Sequence, residues 1–230
     1  MSAPEPMAGP IVVAVDGPGG SGKSSVSKAV ATALGYAYLD TGAVYRAFAI
    51  HARALGTDLD DPNAIERAIA HFDYGISTDP SQFSISVDAV DVTDDIRDPS
   101  VAAIVSKVAR VPAVRTDLTR GFRALIAVTV QPGIVVEGRD ITTVVAPDAS
   151  VRILLTAHES VRAARRGLEL GASDAAEVAD ALAARDQADA RVVDFMTAAD
   201  GVVTVDSTEL NFEQTVAAML AVVAEQGSLA

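Results

Sequence analysis

The chain has 230 residues, half of them hydrophobic, with no cysteine and no tryptophan. That length fits one α/β domain with insertions, or a domain and a half, and the missing thiols exclude disulfides, thiolate metal sites and cysteine nucleophiles while fitting a reducing, cytoplasmic setting. Thirty-one acidic residues against eighteen basic ones leave a net charge of −13, which argues against a general nucleic-acid binder, whose footprint is a basic face.

Residues 1–10 are rich in Ala and Pro, carry Glu5 as their single charge and are expected to form a short disordered lead. They lack the basic start of a secretory signal, and no apolar run reaches the ~20 residues of a membrane helix. Ile11-Val12-Val13-Ala14-Val15 is a continuous apolar, β-branched run, as expected of a buried parallel strand. It runs into Gly17-Pro18-Gly19-Gly20-Ser21-Gly22-Lys23-Ser24, the spacing G-x-x-x-x-G-K-S of a phosphate-binding loop, followed directly by Ser25. Glycines let the backbone bring its N–H groups up to phosphate oxygens, Lys23 supplies a mobile charge for the outer phosphates, and the Ser24 hydroxyl suits Mg²⁺. From Lys23 to Leu34 the apolar spacing is helical, and Gly35 ends it.

Tyr36 to Leu39 predicts a second strand, leading into Asp40-Thr41-Gly42-Ala43-Val44-Tyr45-Arg46 and a helix to Gly56. Thr41 and Arg46 thereby fall at the carboxyl edge of the sheet, where open α/β sheets bind ligands. Asp61-Pro62 caps a short helix. The stretches 72–77, 83–87 and 90–92 then alternate apolar and polar residues, which predicts a small antiparallel meander inserted into the α/β frame. Asp98-Pro99 opens a helix, Val111-Pro112 breaks it, and another helix runs over 113–127.

Ile134-Val135-Val136 is a buried strand that ends in Glu137-Gly138-Arg139-Asp140. Charges at the end of an apolar strand are costly unless they pair or bind something. Residues 151–155 form the next strand. The following helix, 159–170, bears Arg162, Arg165 and Arg166 within one turn, either as a solvated face with an Arg165–Glu169 pairing or as a cationic patch for phosphate. Gly171-Ala172-Ser173 breaks it. A helix over 174–189, a strand over 202–206 and a last helix over 211–225, opened by an Asn211–Gln214 capping box, complete the chain. His51, His71 and His158 are scattered and are not expected to be catalytic.

These pieces resemble the bacterial cytidylate kinase family over nearly the whole chain. The resemblance is carried by Val15 to Ser24, by Leu39 to Arg46, by Val90-Asp91-Val92 through Arg97 and by Val111 to Arg115. Val136 to Val145 with Pro147-Asp148-Ala149, and Asp206-Ser207-Thr208, complete it. It implies a P-loop three-layer α/β/α fold with a mostly parallel central sheet, a small inserted antiparallel β subdomain and a short helical lid. Residues 11–230 would form one kinase domain, with an inserted nucleoside-monophosphate-binding subdomain at about 62–110 and a lid at about 162–196.

The same resemblance implies that Gly17 to Ser25 bind ATP, with Mg²⁺ on Ser24. Thr41, Ser106, Arg115 and Asp140 would hold cytosine, Arg46 and Arg139 the acceptor phosphate, and Arg185 and Asp189 the ribose or phosphate. Lys23, Arg139 and Arg185 form the expected catalytic set, and the protein would be a monomer acting on ATP and CMP or dCMP. Two places depart from the pattern. Thr142 stands where Gly is usual, and the run after the lid, Asp189 to Met196, is shortened by a residue or two. Arg191 is then a second lid arginine in shifted register, or has no part in the site. A kinase of another small acceptor, such as UMP, AMP or shikimate, and a nucleotide-binding regulatory protein with little turnover remain the alternatives.

Overall fold

The structure, a computed structural model, describes residues 9–170 and 175–227. Residues 1–8 of the lead expected over 1–10, and the helix break at 171–173, lie outside the described residues. Five parallel strands form the central sheet: β1 (Ile11–Asp16), β2 (Ala37–Asp40), β6 (Gly133–Gly138), β7 (Val151–Thr156) and β8 (Val203–Asp206), in the spatial order β2-β6-β1-β7-β8. Alternate side chains divide between the two faces. Ala14, Leu39, Ile134 and Val136 pack under α2 (Thr41–Ala54), α3 (Pro62–Ile69), α4 (Pro99–Ala109) and α5 (Pro112–Ala127). Val13, Val15, Tyr38 and Val135 pack on the other side, under α1 (Lys23–Leu34) and α8 (Phe212–Gly227). Because both faces are covered, the strands can be wholly apolar, which is why they read as continuous hydrophobic runs.

The meander is a separate three-stranded antiparallel sheet of β3 (Tyr74–Ile76), β4 (Ile85–Val87) and β5 (Val90–Asp91). Its strands are shorter than the alternation predicts. Tyr74 and Ile76 are only half-buried, and both residues of β5 are exposed. The β4–β5 turn holds Asp88 and Ala89 at φ 49° and 62°, the left-handed geometry a two-residue hairpin demands. His51 of α2 faces Asp88 at 3.5 Å and packs its ring beside Phe72, fastening the turn to the main domain.

Three further local differences have physical causes. The helix after β2 starts at Thr41 with no intervening turn, because the Asp40 carboxylate caps it by accepting from the Ala43 N–H at 2.8 Å. Residues Ile141–Val145, to which the sequence assigns no regular element, form one π-helical turn. Arg123 of α5 closes its end by donating to the carbonyls of Val144 and Val145. The strand before it extends two residues beyond Val136, so that Glu137 is inside the sheet. Helices α6 (Glu159–Leu170) and α7 (Ala175–Ala190) stand over the carboxyl ends of the strands, and the capping box opens α8, with Gln214 N–H donating to Asn211 Oδ1 at 2.8 Å and Asn211 N–H to Gln214 Oε1 at 3.0 Å.

Asp16, the last residue of β1, is buried and accepts from the N–H groups of Ile141 and Thr142 at 2.7 and 2.9 Å and from the Thr142 hydroxyl at 2.6 Å. Burial pushes its carboxyl up, while those three donors and the nearby Lys23 pull it down. In an Asp16→Asn variant the amide NH₂ would face donors. The expected loss is about 1–3 kcal/mol of unfolding free energy, read as a lower urea midpoint with an unchanged m-value.

Candidate active site

Strand β1 ends between β6 and β7, where the sheet's connections diverge to either side, and the crevice beyond that point is the natural ligand position of such a sheet. The Gly-rich loop fills its floor. Gly17 is forced by close approach: a Cβ there would stand 2.1 Å from the Leu155 carbonyl oxygen. At Gly20, φ is 72° and a Cβ would stand 2.5 Å from the Arg162 carbonyl oxygen. The loop is thus pressed between β7 and α6 and delivers its backbone to the start of α1. Gly22 caps that helix with no side-chain hydrogen bond, so the first-turn N–H groups remain available to an anion.

A cavity of about 850 Å³ lies above this loop. Gly19 to Ser25 line one side, whereas Gly17 and Pro18 sit beneath it. Thr41 and Arg46 of α2, Ser106 of α4 and Arg115 of α5 line the opposite side. Arg139 and Asp140, after β6, and Arg185 and Asp189, on α7, close it. Arg191 is exposed and outside the cavity; Val192 and Val193 line it instead.

The cations in the cavity are crowded. The Nε atoms of Arg46 and Arg185 are buried with no hydrogen-bond acceptor among the described residues. Burial, with Arg139 and Arg46 close by, lowers the Arg185 guanidinium to about 10. Burial and the same Arg139 lower Lys23, whose Nζ donates to the Pro18 carbonyl at 2.9 Å. Carboxylates hold the cluster together. Arg46 pairs with Asp40 at 3.1 Å, and Arg139 reaches Asp186 at 3.0 Å and Asp189 at 3.2 Å. Asp189 also accepts from the Ser106 hydroxyl at 2.8 Å, and Arg115 is ion-paired to Asp140. Thr41 donates its hydroxyl to the Glu137 carbonyl at 2.7 Å.

Two acidic residues at the site were not among the candidates drawn from the sequence. Glu137 is buried beside Lys23. Burial and the Asp40 charge push its carboxyl up, against Lys23, the Ser24 hydroxyl and the Tyr38 hydroxyl, which donates to it at 2.7 Å. The signal for it was its place at the end of an apolar strand. Asp186 is also buried. It accepts from the Gly19 N–H at 3.1 Å and from Arg162 at 2.6 Å, and its carboxyl stays below the usual range because Arg139, the Gly19 N–H and Arg162 outweigh burial. Only its helical spacing from Arg185 and Asp189 could have marked it.

The arginines of α6 divide in purpose. Arg162 is buried and donates to the carbonyls of Ala157 and Gly19 as well as to Asp186. Arg165 donates to the carbonyls of Ser21, Ser207 and Leu210 and to the Ser207 hydroxyl, bolting α6 to the loop and to the segment after β8. The Glu169 side chain lies outside the described residues. Arg166 lines the cavity.

Residues 13–225 match the family described as cytidylate kinase. The cytidylate kinases of Streptomyces avermitilis and Cutibacterium acnes are 45% and 46% identical to this chain, over 94% and 92% of it and 94% and 95% of their own lengths. That of Rhodococcus jostii is 46% identical over 94% of this chain and 96% of its own. A phosphate-binding loop faced by a crowd of arginines, in a chain that shares nearly half its residues with these proteins along almost its full length, leads to one conclusion: the chain belongs to the cytidylate kinase family.

Proposed function

We propose that this protein transfers the γ-phosphate of MgATP to CMP or dCMP, giving CDP or dCDP and ADP. The observation that carries the reading is the set of Arg46, Arg139 and Arg185 crowded into one cavity with the phosphate-binding loop, at a cost in mutual repulsion that an anionic ligand removes. In this reading the loop amides and Lys23 bind the donor, and Arg46, Arg139 and Arg185 bind the acceptor phosphate. A phosphate oxygen of CMP attacks the γ-phosphorus as the bond to the ADP oxygen breaks. The acceptor is already an anion, so no strong general base is needed, and catalysis is positioning plus charge neutralisation. Asp189 and Ser106 take the ribose side. The inserted unit at about 62–110 acts as the acceptor-binding subdomain, and residues at about 162–196 act as the lid. The reading includes a monomer, as the family resemblance implies, and a reducing cytoplasmic setting, which the cysteine-free composition fits.

The residues that would hold Mg²⁺ are Ser24 and Glu137. Their fit rests on chemistry: two oxygen donors in mutual hydrogen-bond reach, with the Asp40 charge close enough to disfavour ionised Glu137 until a cation arrives. Among the described residues no group of three or more His, Cys, Asp or Glu side chains could enclose a metal ion, and Mg²⁺ suits such a sparse site because it keeps several of its waters. Bound there it would neutralise charge on the donor phosphates.

For the base, the Arg115–Asp140 pair offers donors and an acceptor side by side. Cytosine presents acceptors at its ring and a donor at its exocyclic amine, whereas uracil puts a carbonyl where the amine would be. Burial pushes the Asp140 carboxyl up against the pull of Arg115, so it is poised to gain from an added donor.

An ADP-release assay with MgATP and CMP, dCMP, UMP, AMP or no acceptor tests the function directly. Turnover with CMP and dCMP well above the others is expected, and equal background in every well refutes the reading. Asp140→Asn, which presents an amide in two possible orientations, is expected to cut the CMP-to-UMP ratio of kcat/KM by at least roughly ten-fold. Arg139→Ala should raise KM for CMP and lower kcat, together costing on the order of 10²-fold or more in kcat/KM, with ATP affinity little changed; equal loss of ATP and CMP affinity would mark Arg139 as structural.

A further inference from the structure

The segment Asp189 to Met196 does not contribute Arg191 to the cavity, yet it ends in a built contact. The N–H groups of Val192 and Val193 return to the Asp189 carbonyl at 3.0 and 3.2 Å, closing α7. The Asp194 carboxylate then accepts from the N–H groups of Met196 and Thr197 at 2.9 and 3.0 Å, which turns the chain inward. Phe195, between these two turns, is 1% exposed but lies outside both hydrophobic cores. What covers one face of its ring is a cation: the Arg139 guanidinium carbon stands 4.2 Å from the ring centroid.

The guanidinium nitrogens of Arg139 meet polar partners. One terminal nitrogen meets Asp186 and Asp189, and the other donates to the Gly17 carbonyl at 3.3 Å. The Gly17 contact is a hydrogen bond and the two carboxylates hold the guanidinium as ion pairs, which fix its position more than its tilt. An aromatic face attracts the cation and restricts its tilt, which a branched aliphatic side chain of similar size does not do.

We propose that Phe195 is a positioning residue for phosphoryl transfer: its ring fixes the plane of Arg139 between the phosphate-binding loop and the acceptor pocket. The proposal rests on the kinase reading above. It assigns a role to the 189–196 segment, which leaves Arg191 outside the cavity and delivers an aromatic ring against Arg139, the residue that follows β6.

The test compares Phe195→Leu with Phe195→Tyr, which keeps the ring. Steady-state kinetics are run with each substrate varied in turn, with Tm measured alongside. In ¹⁵N spectra of the wild type, the Arg139 side-chain Nε–H signal, assigned by its loss in Arg139→Lys, should be displaced by the ring current, and that displacement should vanish in Phe195→Leu. The Leu variant is expected to lose roughly five-fold in kcat/KM for CMP, the scale of one cation–π contact, with KM for ATP within about two-fold of wild type, while the Tyr variant stays near wild type. Unchanged CMP kinetics in the Leu variant overturn the proposal. So does a parallel loss for ATP and CMP that follows Tm, which is the behaviour of a core filler. If the Leu variant does not fold, Phe195→Met supplies the same comparison. A wild type with no CMP turnover rejects the kinase reading instead, and the ring-current displacement still reports on the contact.

Discussion

The carboxylate of Asp16 is the joint on which the site depends. It ends β1, it precedes the first glycine of the phosphate-binding loop, and it accepts every hydrogen bond that the start of the π turn can give. The loop and the Gly138-Arg139-Asp140 corner lie on neighbouring strands, and neither strand by itself fixes how far apart their carboxyl ends point. A buried ion with three donors does, because moving the corner strands a desolvated charge. Thr142 contributes two of those donors, its N–H and its hydroxyl, and the hydroxyl bond is one that a residue without a side-chain donor could not make.

The second organising constraint is charge. A chain of net charge −13 gathers many cationic side chains around one cavity, Lys23, Arg46, Arg115, Arg139 and Arg185 among them. They can be brought together only because Asp40, Asp140, Asp186 and Asp189 are interleaved with them. These pairs do not stabilise the fold to the extent their number suggests, since each ion has lost water. Their physical effect is placement: paired guanidinium groups such as those of Arg46, Arg115 and Arg139 are held at the cavity before any substrate arrives, so less entropy is lost on binding.

Much of this architecture was legible in the sequence because it rests on local rules. The apolar β-branched run before Gly17, the glycine spacing, the Asp-Pro helix starts and the Asn211–Gln214 box each specify their conformation within a few residues. The meander was legible as alternation, but its length was not, since how much of an edge strand pairs depends on its neighbours. What stayed hidden was decided over long distances. Asp186 reads as a surface helix residue until α7 lies across the loop and makes it the partner of Gly19, 167 residues away. Phe195 carries no signal in the sequence, because its contact with Arg139, distant along the chain, arises only when the segment after α7 folds back over the strand ends. Glu137 was visible as an expensive charge, but its partners Tyr38 and Lys23 emerge only once β2 lies beside β6 and α1 begins over the same edge.

The contact between Asp186 and the Gly19 amide has a further consequence. A carboxylate already rests on a backbone donor of the phosphate-binding loop, and the same carboxylate draws in Arg139 and Arg162. A phosphate oxygen that claims the amide therefore replaces one negative group with another, and the arginines change partner without being newly desolvated. Under the proposed kinase reading, arrival of the donor nucleotide would in this respect be an anion exchange, as on a resin already loaded with its counterion. The number of charges facing the substrate then overstates how steeply binding should weaken with salt, because part of the ionic atmosphere that a bare cationic pocket would hold in solution is built into the chain as a side chain on α7.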